Sequence, residues 1–251
     1  MIKIVFFDID GTLVPFGDSD IPQSTRVALK LLKEKGIKVF ISTGRSLDSA
    51  AFVTKLFDFD GFLTANGQYV ITKEGEVLYE QYLPQEVVHF VLDYCEEKKL
   101  GFVMDLEKHG YKNPYYTGLF ASTWETADCN QFREEKVTQF MIQTTAEYED
   151  EIIKNVPGQI FTRWAPDMAD LLPALGGKDK GVLATLKKYG YSLDECMAFG
   201  DGDNDMSMLK IAGTGVAMGN AADFVKACAN YVTTDVREDG VYNALKHFDV
   251  I

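Results

Sequence analysis

The feature that most constrains the fold is an apolar run, IKIVFF at residues 2–7, which stops abruptly at Asp8. Its β-branched and aromatic residues show little alternation, which is typical of a parallel strand buried on both faces. Residues 21–36 then indicate a helix, with Pro22 near its start and a glycine at its end. A second apolar run follows at 37–42. This order of strand, helix and strand predicts a right-handed crossover in a parallel sheet, and therefore an α/β fold.

The same alternation of strands and helices returns late in the chain. Helices are predicted at 180–190, 203–213 and 221–229, and strands at 195–200 and 214–219. Because both ends of the chain show this pattern, we predict that residues 1–82 and 175–251 together form one α/β core.

The segment between these two parts, 83–174, has a different sequence pattern. It holds both tryptophans, and helix-like runs at 84–98 and 147–155 lie among strand-like stretches. A hairpin is predicted at 69–83, near the junction, with its turn at Glu74-Gly75. The pattern favours an inserted α+β domain.

Composition and charge exclude several classes of protein. The chain has 251 residues, 46% of them hydrophobic, and can bury a substantial core. Its 25 basic and 38 acidic residues give a net charge of −13, which disfavours binding to nucleic acid or to an anionic membrane. The apolar run that ends at Asp8 is too short for a secretory signal, and no run of 18 apolar residues could span a bilayer.

The cysteines indicate a reducing compartment. Four are spread along the chain without CxxC spacing: Cys95, Cys129, Cys196 and Cys228. We therefore expect reduced thiols in a soluble, unprocessed cytoplasmic protein. The oligomeric state is not predictable from the sequence.

Two acidic clusters directly follow predicted strands. Asp8 and Asp10 follow the first strand, and Asp201, Asp203 and Asp205 follow the strand at 195–200. Functional groups of open α/β sheets collect beyond the carboxyl ends of the strands, so the two clusters are expected to meet. One such pair alone could be a turn with capping aspartates, but two sets of repelling carboxylates require a cation, and hard oxygen ligands suit Mg²⁺.

Other residues in the chain are suited to binding phosphate. Thr43 and Gly44 end the strand at 37–42, where a hydroxyl and a backbone N–H could bind a phosphate oxygen, although an ordinary turn would look the same. Lys178 and Lys180 open a helix, where cations are unfavourable unless an anion lies nearby; the alternative is a solvated loop. Together these residues predict a phosphate site beside the carboxylates.

The ordered set of motifs resembles the haloacid dehalogenase (HAD) superfamily, specifically Cof-type phosphatases with a C2-type cap inserted between the second and third motifs. The motifs are DIDGT at 8–12, STGR at 42–45, a lysine near 178 and GDGDND at 200–205. The resemblance covers the whole chain. It implies a Rossmann-like core, an α+β cap, and a Mg²⁺-dependent phosphatase acting on small phosphorylated metabolites, such as sugar phosphates.

The resemblance also implies roles for the first motif. Asp8 would be the nucleophile that forms an aspartyl-phosphate, which splits one difficult hydrolysis into two easier steps. Asp10 would protonate the leaving alcohol and then activate water. In an extended strand end, residues two apart project the same way, so both can face one phosphate while Ile9 points into the core. Mg²⁺ would be held by the Asp8 side chain, the Asp10 carbonyl and Asp201.

Further residues are implied as supports or phosphate contacts. Asp205 is expected to support the metal through a water or a hydrogen bond. Thr43, Gly44, Arg45 and Asn204 are expected to contact the phosphate or metal-bound water, whereas Asp203 is expected to be solvated and Asn66-Gly67 to supply backbone geometry.

The sequence leaves the essential lysine open. The Lys-Gly dipeptide favours Lys180, whereas the spacing from Gly190 and Asp201 favours Lys178. We favour Lys178 as the catalytic lysine and assign Lys180 as a second phosphate contact.

In the inserted domain, aromatic and polar groups at 108–118 and 162–166 could bind a sugar, although packing is the commoner role of such residues. The three histidines lack metal-ligand spacing. Alternatives to a phosphatase are a phosphomutase with similar motifs, a dehalogenase, a non-catalytic metabolite binder, and a phospho-acceptor signalling module, which is typically about half this length. The substrate itself is not encoded in any recognisable motif.

Overall fold

The computed structural model describes residues 1–118 and 121–251; the two remaining residues lie within the predicted cap. These residues form two β-sheets. The strands of the first part of the chain are β1 (Ile4–Phe7), β2 (Lys38–Ser42), β3 (Gly61–Thr64), β4 (Tyr69–Thr72), β5 (Val77–Glu80), β6 (Phe102–Asp105) and β7 (Gly110–Lys112). Those of the second part are β8 (Glu125–Thr126), β9 (Gln139–Gln143), β10 (Ile160–Ala165), β11 (Met168–Leu172), β12 (Cys196–Gly200), β13 (Thr214–Ala217) and β14 (Tyr231–Val232).

The helices connect and cover these strands. They are α1 (Gln23–Glu34), α2 (Leu47–Ala50), α3 (Gln85–Lys98), α4 (Ala146–Asn155), α5 (Lys178–Tyr189), α6 (Met206–Ile211), α7 (Asp223–Lys226) and α8 (Gly240–His247). None of those in the described part of the chain is both long enough and apolar enough to cross a lipid bilayer.

The core sheet has the order β14-β13-β12-β1-β2-β3-β4-β5. Its strands are parallel from β14 to β3, and β4 and β5 are added antiparallel, with the predicted turn at Gly75 in a left-handed conformation. All four residues of β1 are fully buried, because helices cover both faces of the sheet. The predicted α/β fold with a parallel-sheet core is confirmed.

Several helices differ in length from the sequence prediction. α5 begins at Lys178, two residues earlier than predicted. The helix predicted at 203–213 is a 3₁₀ turn, Asp203–Asp205, followed by α6, and the one predicted at 221–229 is reduced to α7. Both helices are shorter than the sequence pattern predicts, because the tertiary context overrides helix propensity at their ends.

The second sheet has the order β10-β11-β9-β6-β7-β8 and is antiparallel except for the last pair. Because side chains alternate along a strand, its two faces differ. One face packs against α3 and α4 through residues such as Phe102, Phe140 and Leu171. The other carries Trp124, Met141 and Met168 and is turned toward the carboxyl ends of the core strands.

Candidate active site

The two acidic clusters meet at the centre of the core sheet. Asp8 follows β1 and Asp201 follows β12, and these strands are hydrogen-bonded neighbours with Phe7 opposite Phe199. One carboxylate oxygen from each of Asp8, Asp201 and Asp205 lies within 4.8 Å of the others. Such a set of hard oxygen donors fits Mg²⁺.

Burial and mutual repulsion make this cluster electrostatically costly without a cation. Burial is the main cause that raises the pKa of Asp8, and Asp205, Asp201 and Asp10 raise it further, against the opposing effect of Lys178. Burial and the nearby Asp205 raise the pKa of Asp201 to about 7. The cluster therefore has the charge and the donor chemistry of a divalent metal site.

Lys178 is the cation that these carboxylates hold. Its side chain is completely buried, and Nζ donates to Oδ1 of Asp8 at 2.7 Å, to Oδ1 of Asp205 at 2.5 Å and to the carbonyl of Ser42 at 2.9 Å. Burial alone would lower the pKa of Lys178, but Asp205 and Asp8 outweigh it and raise the pKa. All three ammonium protons are used, so the lysine is fixed in position.

Asp205 anchors the loop that carries Asp201. Its Oδ2 accepts hydrogen bonds from the backbone N–H groups of Asp201 and Gly202, both at 2.9 Å, while Oδ1 accepts from Lys178. Asp203 lines the cavity but is not part of the three-carboxylate cluster.

Asp201 is oriented by two side chains from other loops. Its Oδ1 accepts from the hydroxyl of Thr12 at 2.9 Å, and its Oδ2 accepts from Nδ2 of Asn220 at 3.2 Å. Gly11 permits this approach, because a Cβ there would lie 2.2 Å from Oδ2 of Asp201, and its φ of +86° is left-handed.

Asp10 forms a two-pronged ion pair with Arg45. Nε of Arg45 lies 2.7 Å from Oδ2 of Asp10, and Nη2 lies 2.8 Å from Oδ1. Asp8 and Asp10 line one cavity while Ile9, between them, is fully buried in the core. The alternation of the strand end thus brings both carboxylates to the same side.

The end of β2 completes the floor of the cavity. Thr43 is buried, and its hydroxyl accepts from the N–H of Arg45 at 3.2 Å. Gly44 lies close to the amides of Asn66 and Asn204, 3.2 to 3.5 Å from where its Cβ would be. Thr43, Gly44, Arg45 and Asn204 all line the same cavity as Asp8.

The cavity lies between the core strands and the second sheet and has a volume of about 300 Å³. Residues beyond the core motifs that line it are Phe16, Asp105, Trp124, Met141, Arg163, Trp164 and Asp170. The core loops therefore bring the cluster of Asp8, Asp201 and Asp205 to this cavity, and the segment 83–174 brings Trp124 and Trp164, which we call the aromatic wall.

A family model described as haloacid dehalogenase-like hydrolase matches residues 5–245. The chain belongs to this family.

Curated relatives and solved structures agree with this assignment. The HMP-PP phosphatase of Klebsiella pneumoniae (strain 342) is 30% identical, with 99% of this chain and 96% of the relative covered. The 5-amino-6-(5-phospho-D-ribitylamino)uracil phosphatase YcsE of Bacillus subtilis (strain 168) is also 30% identical, over 98% and 96%. The solved HAD subclass IIB sugar phosphatase BT4131 superposes with a TM-score of 0.92 at 37% identity, covering 99% of this chain and 100% of that one. This haloacid dehalogenase-like hydrolase therefore acts on phosphate esters.

The structure of this HAD hydrolase does not bring Lys180 to the cavity. Lys180 is more than one-third exposed and pairs with Asp179 at 2.9 Å, beside a surface groove formed with Tyr79 and Lys188. Two residues along a helix correspond to a rotation of about 200°, so Lys178 and Lys180 necessarily face opposite sides of α5. Lys180 is absent from the described residues that line this cavity, so the geometry does not support the phosphate contact expected of it.

Sequence reasoning missed several residues that surround the site of this hydrolase. Asn220 follows β13, and its place after a strand end was the available signal. Asp105 and Asp170 belong to the second sheet and are buried; burial raises the pKa of Asp105 to about 7 and that of Asp170 to about 6. Trp164, from the stretch 162–166, lines the cavity as expected of a sugar contact. Trp124 also lines the cavity, although it lies outside both aromatic stretches named from the sequence.

Proposed function

We propose that this protein is a Mg²⁺-dependent phosphomonoesterase that hydrolyses small phosphorylated metabolites, sugar phosphates in particular, through an aspartyl-phosphate. The observation that carries the proposal is the buried Asp8 carboxylate, which is bound by Lys178 and lies close to Asp201 in the cavity between the two sheets. In this proposal residues 83–174 are the cap, and 1–82 with 175–251 are the catalytic core.

Asp8 would be the nucleophile. Lys178 holds its Oδ1, which leaves Oδ2 to attack phosphorus. The Oδ2–P bond forms as the bond between phosphorus and the ester oxygen breaks. Lys178 would also balance negative charge on the phosphate, and Thr43 and Gly44 line the same cavity, so their hydroxyl and N–H are candidate donors.

Asp8, Asp201 and the backbone of Asp10 would hold Mg²⁺, with Asp205 as a support that orients Asp201 and Lys178. When bound, the metal would reduce the negative charge of phosphate and carboxylates and position the phosphate for in-line attack. The raised pKa of Asp201 supports this assignment, because such a carboxylate is stabilised by a cation.

Asp10 would move the protons. It would donate a proton to the leaving alcohol oxygen, and then take one from the water that attacks the aspartyl-phosphate, which releases phosphate and restores Asp8. Both Asp10 oxygens accept from Arg45, which holds the carboxyl group in one orientation. Arg45, which lines the same cavity, would thus orient Asp10 for both proton transfers.

The wall opposite the carboxylates supports a small hydroxylated leaving group. Trp124, Trp164 and Asp105 line this part of the cavity, where indole rings would pack on a sugar and a carboxylate would accept from its hydroxyls. Oδ1 of Asp105 and Nε1 of Trp124 have no hydrogen-bond partner among the described residues. A sugar hydroxyl both donates and accepts, and is the kind of group that would match such a pair.

The proposed setting is the cytoplasm, with a small metabolite and not a nucleic acid as the partner. All four cysteines are free thiols, and the net charge of −13 disfavours polyanions.

The test is release of inorganic phosphate from p-nitrophenyl phosphate and from a panel of sugar phosphates, with Mg²⁺ and with excess chelator. We expect turnover with Mg²⁺ only, and none from Asp8→Asn, whose amide has the same shape but is a poor nucleophile. Activity of Asp8→Asn within tenfold of the unmodified protein would rule out the aspartyl-phosphate.

The same assay separates hydrolysis from phosphoryl transfer between sugars. A phosphomutase would convert one sugar phosphate to its isomer, require a sugar bisphosphate and release little free phosphate. We expect stoichiometric release of phosphate and no isomer.

A further inference from the structure

Asn66 occupies a strained turn at the junction of the two sheets. It lies in the 3₁₀ turn Ala65–Gly67 between β3 and β4, and its φ of 55° is left-handed. Its side chain is fully buried, and it is absent from the described residues that line the cavity. Backbone strain of this kind persists only where surrounding contacts maintain it.

Both polar atoms of the Asn66 amide, Nδ2 and Oδ1, are hydrogen-bonded to neighbouring side chains. Nδ2 donates to Oδ2 of Asp170 at 2.8 Å and to Oε1 of Gln139 at 2.9 Å, and Oδ1 accepts from Nδ2 of Asn204 at 2.8 Å. The amide cannot be flipped end for end, because the Asp170 carboxylate can only accept and therefore requires Nδ2 of Asn66 to face it. One amide thus joins the second sheet to the loop that carries the acidic cluster.

The network extends to both ends of the cavity. Nε2 of Gln139 donates at 2.8 Å both to the carbonyl of Gly44, in the candidate phosphate loop, and to Oδ2 of Asp105. Oδ1 of Asp170 accepts at 3.0 Å from Nε1 of Trp164, which forms part of the aromatic wall. Every hydrogen bond in this network pairs a donor with an acceptor. A complete buried network of this kind is rigid, and removing one member costs stability.

We propose that Asn66 is a positioning residue that sets the aromatic wall of the second sheet relative to the phosphate end of the cavity. Its effect would pass through Asp170 to Trp164 and through Asn204 to the acidic loop. This role rests on the proposed phosphatase function, but it is distinct from supplying a left-handed backbone turn.

The substitution Asn66→Gly separates the two roles. Glycine adopts a left-handed conformation without strain, so the turn is preserved while the amide is removed. If Asn66 positions the wall, kcat/KM for the best sugar phosphate of the panel should fall at least tenfold, with a rise in KM as part of the loss. Retention of the unmodified kcat/KM and KM would overturn the proposal and leave Asn66 with a backbone role only.

Tryptophan fluorescence gives a second measurement that does not depend on turnover. The chain has only two tryptophans, Trp124 and Trp164, so Trp124→Phe leaves Trp164 as the sole reporter. In this background Asn66→Gly should move the Trp164 emission to longer wavelength and at least double its quenching by acrylamide. If the protein hydrolysed no phosphate ester, this measurement would still test the network; an unchanged spectrum and quenching would contradict it.

An exchange of partners tests the contact itself. Asn66→Asp places a second carboxylate against Asp170 and should lose more activity than Asn66→Gly. Adding Asp170→Asn restores an amide donor to the pair and returns the net charge of the pair to its original value. The double variant should therefore have a kcat/KM at least threefold higher than that of Asn66→Asp, and its Trp164 emission should return toward the original position. No recovery in either property would disprove the pairing.

The matched control is Asn155→Asp, the same chemical change at the exposed end of α4. It should leave both kcat/KM and fluorescence unchanged. Should Asn66→Gly fail to fold, as judged by circular dichroism, the comparison of Asn66→Asp with the exchange variant decides the matter.

Discussion

The ammonium nitrogen of Lys178 lies 2.7 Å from Oδ1 of Asp8, although 170 residues separate them in sequence. Lys178 is the first residue of α5, and Asp8 directly follows β1. The lysine is fully buried and also bonded to Asp205, so it is held against one oxygen of Asp8, and Asp8 in turn lines the cavity.

Removing this lysine should impair both activity and folding. Lys178→Ala should lower kcat/KM by roughly 100-fold or more, as loss of a preorganised charge typically does. It should also cost roughly 3–5 kcal/mol of stability, since two carboxylates then lie buried without their cation. The control is Lys180→Ala, which removes an exposed charge and should cost less than about 1 kcal/mol in either property. A severe loss confined to Lys180→Ala would reverse the assignment.

The ion pair of Asp10 and Arg45 should matter for its geometry as well as its charge. Arg45→Lys keeps the charge but loses the two-pronged contact, and we expect kcat/KM to fall by about 10- to 100-fold, because Asp10 is then poorly oriented for proton transfer. Arg133→Lys alters an exposed pair with Asp93 and serves as the control. Equal activity of Arg45→Lys and the unmodified protein would mean that orientation of Asp10 by Arg45 is dispensable.

Metal binding should raise stability without being required for folding. A chelator should abolish activity, while the apo protein stays folded because its core is large. Mg²⁺ at 100 times its Kd should add about 2.7 kcal/mol to the free energy of unfolding. Asp201→Asn should weaken the Mg²⁺-dependent rise in Tm strongly, whereas Asp203→Asn, outside the three-carboxylate cluster, should weaken it little. The reverse order would move the metal site toward Asp203.

Asp105 should make stability depend on pH. Burial raises its pKa from 3.8 to about 7, so between these values the folded protein binds more protons than the unfolded chain. Its contribution to stability is therefore present below pH 3.8 and lost as the pH rises through about 7. In metal-free buffer, Asp105→Asn should be less stable relative to the unmodified protein at pH 4 than at pH 8. The change across this window should be on the order of a few kcal/mol. Parallel Tm curves for the two proteins would contradict this prediction.

Short sequence patterns determined the positions of the buried strands and of the acidic residues that follow them. The buried parallel strands were readable from uninterrupted β-branched and aromatic runs, because burial on both faces removes alternation. The acidic residues at 8, 10, 201 and 205 were readable because parallel strands deliver their carboxyl ends to one edge, whatever the rest of the chain does. These signals span only a few residues each.

Tertiary structure decided what depends on rotation and register. Whether Lys178 or Lys180 meets Asp8 follows from the rotational setting of α5, which packing against the core sheet establishes and the Lys-Gly dipeptide does not. Asp105 and Asp170 share one buried network with Asn66 only because the antiparallel register of the second sheet places Asp105 opposite Gln139 and Asp170 opposite Met141, two residues further along β9. The hydrophobic pattern places each side chain on a face, but only the assembled sheets bring those faces together.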